Sequence, residues 1–150
     1  MEKIEKILVA LDFSENSEHA FNYAYTLAKN FNARLILIHV VHEALDLRGF
    51  YLPHISFDVL DKEVEEGANK MMEKFCHYHL GDFPNYESSV VIGVPYMEIL
   101  KKAKEEKVSM IVMGTQGLTG VAHLLFGSTA ETVLRNAKCP ILVVNPQQAV

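Results

Sequence analysis

The chain has 150 residues and a formal net charge of −5 at pH 7, with 49% hydrophobic and 22% charged residues. These values are typical of one globular domain with a substantial core, and we expect a single domain over residues 1–150. The negative charge disfavours a nucleic-acid backbone as partner but allows a small anionic ligand. No apolar run is long enough to span a bilayer, and the first residues lack the pattern of a secretory signal.

The cysteines indicate the redox environment. The chain has two, Cys76 in a helix-like pattern and Cys139 directly before Pro140. This usage is typical of packed thiols rather than of a disulfide framework or a metal site. We therefore expect a cytoplasmic, reducing environment.

The first half of the chain alternates strand-like and helix-like segments. An apolar strand is predicted over 7–11, with Ser14 placed to cap a helix after it, and a second strand over 35–41. An irregular segment over 42–56 precedes a long helix, which residues 81–84 interrupt. The positions predicted to face the core are Ala20, Ala24, Leu27, Ala28 and Phe31 in the first helix and Leu60, Val64, Ala68, Met71 and Phe75 in the second.

The second half continues the alternation. Strands are predicted over 88–92, 108–113 and 141–144. Between the first two, Gly93-Val94-Pro95 turns into a helix with proline in its first turn. Another helix is predicted to begin at Ser128. The predicted core positions are Ile99, Leu100 and Ala103 in the third helix and Ala130, Val133, Leu134 and Ala137 in the fourth.

Short, continuously apolar strands that alternate with helices are typical of a parallel sheet covered on both faces. Ligands of such sheets bind at the carboxyl ends of the strands, where the chain order reverses. Asp12 follows the first strand and Gly114 ends the fourth. We therefore expect these two residues to line one crevice.

A glycine pattern follows the fourth strand. It consists of Gly114, Gly117 after two residues, and Gly127-Ser128 after nine more. Glycines let a backbone approach an anion closely, and a helix that starts after them directs free N–H groups at it. The pattern is neither a P-loop nor a dinucleotide-binding GxGxxG. The alternative is that the glycines only make turns.

The chemistry around Ser128 also favours an anion. Ser128 precedes Glu131 by three residues, the spacing of a capping box, which would leave the N–H groups of Thr129 and Ala130 free. No Asp, Glu, Lys or Arg occurs over 108–130. A phosphate there would be held mainly by amides and hydroxyls. The alternative is that Ser128 only caps the helix.

Taken in order, these segments resemble the universal stress protein family over essentially the whole chain. The resemblance rests on Ile7-Leu-Val-Ala-Leu-Asp12-Phe-Ser14, His39-Val40-Val41, Gly93-Val94-Pro95, Gly114-x2-Gly117-x9-Gly127-Ser128 and Cys139-Pro140-Ile-Leu-Val-Val144. The glycine signature is that of the family's ATP-binding branch.

The resemblance implies a doubly wound, five-stranded parallel sheet in the order 3-2-1-4-5, of the adenine-nucleotide α-hydrolase type. It implies bound ATP, accompanied by Mg²⁺ or Mn²⁺, and a homodimer. Adenine would meet Asp12 and the backbone of Val40, and the phosphates would meet the start of the last helix. The nucleotide-binding residues implied in this way are Leu11, Asp12, Val40, Met113, Gly114, Gly117, Gly127, Ser128 and Thr129.

One departure from the family concerns the nine-residue stretch. Family members often carry Lys or Arg in its middle, where this chain has Val121-Ala122-His123. This difference predicts weaker retention of the triphosphate tail, so that a monophosphate or diphosphate binds nearly as well. Arg48 is one cation that a loop could bring over the phosphates. For Asp12, the alternative to ligand contact is capping of the first helix.

Three functions remain open from the sequence. The glycine loop supplies neither a carboxylate nor a lysine, so we expect slow hydrolysis or none, and a nucleotide-dependent regulatory module. The alternatives are a slow Mg²⁺-dependent ATP hydrolase and a nucleotide-free regulatory dimer. The apolar strand over 141–144 is expected at the sheet edge, where it would pair with a second copy. His77 and His79 lie on different helix faces, which disfavours a metal site, and His39 is expected to be a satisfied core histidine.

Overall fold

The computed structural model describes residues 2–42, 57–115 and 127–146, with the side chains of 57–61 excepted. Strands and helices alternate strictly in this part of the chain. The strands are β1 (Lys6–Ala10), β2 (Arg34–His42), β3 (Tyr86–Gly93), β4 (Met110–Gly114) and β5 (Ile141–Val144). The helices are α1 (Glu15–Phe31), α2 (Phe57–Leu80), α3 (Pro95–Glu106) and α4 (Ser128–Asn136).

The five strands form one parallel sheet in the order β3-β2-β1-β4-β5. The predicted sheet type and strand order are therefore confirmed. β1 lies at the centre, where Ile7 is paired with Leu35 of β2 and with Met110 of β4. The chain order reverses on the two sides of β1, which places a crevice at the carboxyl ends of β1 and β4.

Apolar side chains on both faces of the sheet form two cores. Ile7 and Val9 of β1 pack with Phe21 of α1 on one face, in the core that α1 and α2 cover. Leu8, between them in sequence, packs with Ile99 of α3 on the other face, which α4 also covers. Alternate residues of a strand point to opposite faces, so a strand buried on both must be apolar throughout.

Local signals fix the helix ends. Ser14 caps α1 by accepting a hydrogen bond from the N–H of Ser17 at 3.2 Å, as predicted. Pro95 is the first residue of α3, where its missing N–H costs nothing. Gly81, which follows α2, has a φ of +51°, a conformation that side-chain-bearing residues rarely adopt.

Four predictions of burial are wrong. Phe31 is 51% exposed, Val64 47%, Met71 51% and Leu134 47%. In α2, Met72 and not Met71 packs in the core. From residue 62 onward, the buried residues of this helix are Ala68, Met72, Cys76 and Leu80. The side chain of Leu60 lies outside the described part of the chain.

The helices and the cysteines bear on the class of protein. None of the described helices is long and apolar enough to cross a membrane. Cys76 and Cys139 are both free thiols, the first buried and the second half-buried. Burial raises the pKa of both thiols, as expected for packed rather than reactive cysteines.

Candidate functional site

A crevice of about 340 Å³ lies at the carboxyl ends of β1, β2 and β4. The beginnings of α3 and α4 close its other sides. The described residues that line it are Ala10, Leu11, Asp12, Ser17, Ile38, Val40, His42, Pro95, Ile99, Met113, Gly114, Thr115, Gly127, Ser128, Thr129 and Ala130. This volume is in the range of small-molecule sites, which start at about 300 Å³.

The structure brings together most of the residues predicted from the sequence. Eight of them line the crevice: Leu11, Asp12, Val40, Met113, Gly114, Gly127, Ser128 and Thr129. Gly117 lies outside the described residues, as do His123 and Arg48. The convergence of β1 and β4 on one crevice is thus confirmed, whereas ligand contacts at these residues remain a prediction.

The start of α4 differs from the prediction in one respect. Gly127, not Ser128, is the N-cap, with extended backbone angles of −71° and 160°. Its carbonyl accepts the first helical hydrogen bond, from Glu131. Ser128 is the first residue inside the helix, and no side chain of the described residues caps this end. The capping box is therefore wrong, because Glu131 pairs instead with Arg135 at 2.7 Å.

Because the N-cap is Gly127 and not Ser128, the start of α4 favours an anion in the crevice. The first three residues of an α-helix have no carbonyl within the helix to accept their N–H groups. In α4 these residues are Ser128, Thr129 and Ala130, and all three line the crevice. The helix dipole adds roughly half a positive charge at the same end. The crevice wall thus suits an anion without any cationic side chain.

Thr115 is a lining residue that the sequence analysis missed. Its N–H donates to the carbonyl of Val144 at 3.1 Å, and its own carbonyl accepts from the N–H of Gly127. Its side chain is buried, with 2% of the residue exposed, yet the hydroxyl has no hydrogen-bond partner in the described part of the protein. A hydroxyl directly after a strand-ending glycine is the sequence signal that would have found it.

Asp12 lies between the start of α1 and the crevice. One carboxylate oxygen accepts hydrogen bonds from the N–H of Ser14, at 2.9 Å, and from the Ser14 hydroxyl. Because Ser14 is the cap of α1, Asp12 buttresses that cap. The same residue lines the crevice. Asp12 therefore supports the cap of α1 without being the cap itself, and contact of Asp12 with a ligand remains a prediction.

His39 belongs to the core beside the crevice. Its ring nitrogen Nδ1 donates to the carbonyl of Leu11 at 2.7 Å, which fixes the proton on that nitrogen because a carbonyl can only accept. The ring packs at 4.6 Å from the ring of Phe13. His39 is therefore a satisfied core histidine, as expected. It supports the β1–α1 turn that carries Asp12.

The described lining residues include no Lys or Arg and a single carboxylate, Asp12. His42, at the end of β2, is a further polar lining residue that the sequence analysis missed. In the described ranges, no three His, Cys, Asp or Glu side chains come together as metal ligands. A divalent cation at this site would depend on oxygens that a ligand brings, as Mg²⁺ does with phosphates.

Comparison with known proteins identifies the family. A sequence profile of the universal stress protein family matches residues 3–145. The chain belongs to this family. Universal stress protein YxiE of Bacillus subtilis is 35% identical over 144 residues, covering 93% of this chain and 97% of the relative. Universal stress protein MJ0531 of Methanocaldococcus jannaschii is 33% identical, covering 93% and 81% of the two chains.

Solved structures share the universal stress protein fold. Protein MJ0577 of Methanocaldococcus jannaschii superposes with a TM-score of 0.85 at 29% identity, covering 99% of this chain and 100% of that one. UspA from Lactobacillus plantarum has a TM-score of 0.77 at 24% identity, covering 96% and 99%. A universal stress protein in complex with cAMP has a TM-score of 0.63 at 23% identity. The last two similarities bear on the fold alone.

Proposed function

We propose that this universal stress protein binds an adenine nucleotide, ATP in the first instance, and acts as a nucleotide-dependent regulatory module in a stress response. One observation carries the proposal. The N-terminus of α4, which no described side chain caps, and Thr115, whose buried hydroxyl has no partner among the described residues, line the same crevice. Unsatisfied donors beside a helix N-terminus are what a phosphate group satisfies.

The proposed orientation places the two ends of the nucleotide at opposite walls. The phosphates lie against Ser128 and Thr129, where the N–H groups are free. The adenine lies toward Asp12 and the backbone of Val40, at the ends of β1 and β2. Gly114, between these walls, offers backbone without a side chain to the ribose. Mg²⁺ or Mn²⁺ would accompany the phosphates, held mainly by phosphate oxygens and water.

We propose binding rather than turnover. Phosphoryl transfer needs a positioned base and charge that stabilises the transferred group. Asp12 is the carboxylate among the described lining residues, and it already accepts hydrogen bonds from Ser14. A regulatory role follows if bound nucleotide shifts the population of a surface that a partner recognises. Release of phosphate from Mg-ATP by the pure protein, abolished in Gly117→Val, would instead favour the slow hydrolase.

Calorimetric titration of nucleotide-stripped protein with Mg-ATP tests the proposal. We expect saturation near one nucleotide per chain. In Ser128→Glu, a carboxylate replaces an exposed hydroxyl at the first residue of α4, where it stabilises the helix but repels phosphate. This variant should fold normally and bind ATP at least about tenfold more weakly.

Met97→Glu is the matched control. Met97 is 53% exposed in the first turn of α3 and does not line the crevice, so the same charge is added at another helix N-terminus. Its ATP affinity should equal that of the wild type. ATP, ADP, AMP and cAMP titrated in parallel rank the nucleotides, and cAMP is included because one universal stress protein has been solved with it. No binding of any of them at millimolar concentration would contradict the proposal.

The oligomeric state is a separate part of the proposal: a homodimer formed through β5. Pro140 and Val144 direct their carbonyls to β4, since these accept from Ile111 and Thr115. Because backbone groups alternate along a parallel ladder, the N–H of Val143 points to the open side of the sheet. A second copy could pair with that edge.

Val143→Pro removes this outward donor without removing a hydrogen bond to β4, as proline on edge strands does. We expect light scattering after size exclusion to show a dimer for the wild type and a monomer for the variant. A monomeric wild type would contradict the dimer and leave nucleotide binding standing. We assign the whole function to the cytoplasm, consistent with the free thiols of Cys76 and Cys139.

A further inference from the structure

A second cavity lies at the end of the molecule opposite the crevice. Its volume is about 400 Å³, and it is bounded by the C-terminal ends of α3 and α4 and by the residues that lead into β4 and β5. The described residues that line it are Leu100, Ala103, Lys104, Lys107, Val108, Asn136, Ala137, Lys138 and Cys139. None of them belongs to the proposed nucleotide site.

The floor of this cavity is apolar. Ala103 and Val108 are each 8% exposed and belong to the core between the sheet and α3 and α4. Leu100, Ala137 and Cys139 are half-buried and pack against the same core. The cavity therefore opens into the hydrophobic core. An apolar ligand bound there would make contacts with apolar side chains that water does not make.

The rim of the cavity is basic. Lys104, Lys107 and Lys138 are exposed side chains that line it, and no carboxylate does so among the described residues. No ion pair joins any of the three to a described residue, whereas Lys102, two residues before Lys104 in α3, pairs with Glu87 and Glu106. Three unpaired positive charges thus surround one opening in a chain whose net charge is −5.

No described hydrogen bond joins the ammonium groups of these three lysines to the carbonyls that end α3 and α4. The carbonyls of Ala103 and Lys104 accept hydrogen bonds from the backbone N–H of Lys107, and Ala103 also accepts from Val108. The N–H of Ala137 closes the last turn of α4 on Val133. No described hydrogen bond or ion pair engages the ammonium groups of Lys104, Lys107 and Lys138, so they are available to a ligand.

We propose that this cavity binds a small anionic amphiphile of the fatty-acid class. The alkyl chain occupies the floor around Ala103 and Val108, and the carboxylate meets the lysines of the rim. The ligand would be free in solution, because the opening is a pocket of one small molecule's size and not an extended basic surface. The site gives the protein an input that is separate from the nucleotide crevice.

Calorimetric titration with monomeric decanoate, below its micelle concentration, tests this proposal. We expect saturation at one decanoate per chain. Butyrate has the same charge without the tail, and decyltrimethylammonium has the tail with the opposite charge. Both should bind at least about tenfold more weakly, because each lacks one of the two attractions. Equal binding of either compound, or no binding of decanoate, would overturn the proposal.

Charge reversal locates the site. The triple variant Lys104→Glu, Lys107→Glu, Lys138→Glu should weaken decanoate binding about tenfold or more. The matched control reverses three exposed lysines elsewhere, Lys70, Lys74 and Lys101, and has the same net charge. Decanoate affinity that falls equally in both variants would show a general charge effect and would overturn the site.

Two further readouts keep the test independent of folding and of the nucleotide site. Bound decanoate should slow alkylation of Cys139, on the floor, while buried Cys76 stays unreactive with or without it. Mg-ATP binding should be unchanged in the triple variant, because none of the three lysines lines the crevice. Unchanged alkylation of Cys139 at saturating decanoate would overturn the placement.

Discussion

Replacing Thr115 with valine should raise stability and lower nucleotide affinity at the same time. Thr115 is 2% exposed, and its hydroxyl lacks a hydrogen-bond partner in the described structure. Valine has nearly the same shape, so Thr115→Val removes the buried polar atom without opening a cavity. The free protein should gain from this exchange, whereas a bound phosphate or ribose would lose a donor.

The expected changes in stability and in nucleotide affinity follow from the burial of the Thr115 hydroxyl. A buried polar group without a partner costs about 1–3 kcal/mol, and we expect Thr115→Val to recover about 1 kcal/mol of it. For a domain of this size that gain raises Tm by about 2–4 °C. Loss of one hydrogen bond to the nucleotide should weaken Mg-ATP binding about tenfold, or about 1.4 kcal/mol.

Urea unfolding and calorimetric titration of the same preparations measure both effects. Thr115→Ser keeps the hydroxyl and should retain ATP affinity. Ser89 provides the matched control, since its hydroxyl is also buried without a described partner but does not line the crevice. Ser89→Ala should leave ATP binding unchanged.

Two results would refute this reasoning. If Thr115→Val unfolds more easily than the wild type by 1 kcal/mol or more, the hydroxyl is hydrogen bonded in the free protein and its deletion breaks that bond. If the variant is stabilised but binds Mg-ATP as tightly as the wild type, the hydroxyl does not contact the nucleotide.

Three other predictions concern the scaffold. Ser14→Ala removes the cap of α1 and should cost about 1 kcal/mol in urea unfolding; a change near zero would show that the 3.2 Å contact to Ser17 contributes nothing. Phe21→Ala empties a fully buried site and should cost about 3–5 kcal/mol, whereas Phe31→Ala, at 51% exposure, should cost less than about 1 kcal/mol. Burial raises the pKa of Cys76 above 9.0, so the folded state holds that proton more tightly than the unfolded state. The contribution of this pKa difference to the free energy of unfolding is complete below pH 9.0 and is lost as pH rises through the folded pKa. Between about pH 7 and pH 10, the free energy of unfolding of Cys76→Ala should therefore fall less than that of the wild type.

The sheet and the crevice could be predicted because their signals are local and repeated. β1 is apolar at every position from Ile7 to Ala10, and only a strand buried on both faces needs that pattern. Asp12 lies just after β1 and Gly114 ends β4, the two strands between which the chain order reverses, so topology alone brings them together. Which methionine of α2 is buried could not be predicted. Met71 and Met72 are chemically identical, and contact with the sheet alone decides which is buried.

The start of α4 shows a different limit of sequence reasoning. A serine three residues before Glu131 has the spacing of a capping box, but Gly127 takes the cap position. The N–H of Gly127 donates to the carbonyl of Thr115, which ties the residue before the helix to the end of β4. This bond spans residues that are distant in sequence. Local spacing therefore misplaces the cap by one residue.

The central position of β1 has a consequence for synthesis on the ribosome. Its pairing with β2 needs only residues that emerge soon afterwards, but its other edge stays open until β4 has emerged. The N–H of Glu5 donates to the hydroxyl of Ser109, a residue that is synthesised much later, so this edge of β1 closes late. A nascent or truncated chain that ends before β4 exposes an apolar strand edge, Ile7 to Val9, that invites aggregation. The crevice proposed to bind ATP is complete only after β4 and the start of α4 have emerged, so nucleotide cannot assist folding of the N-terminal half.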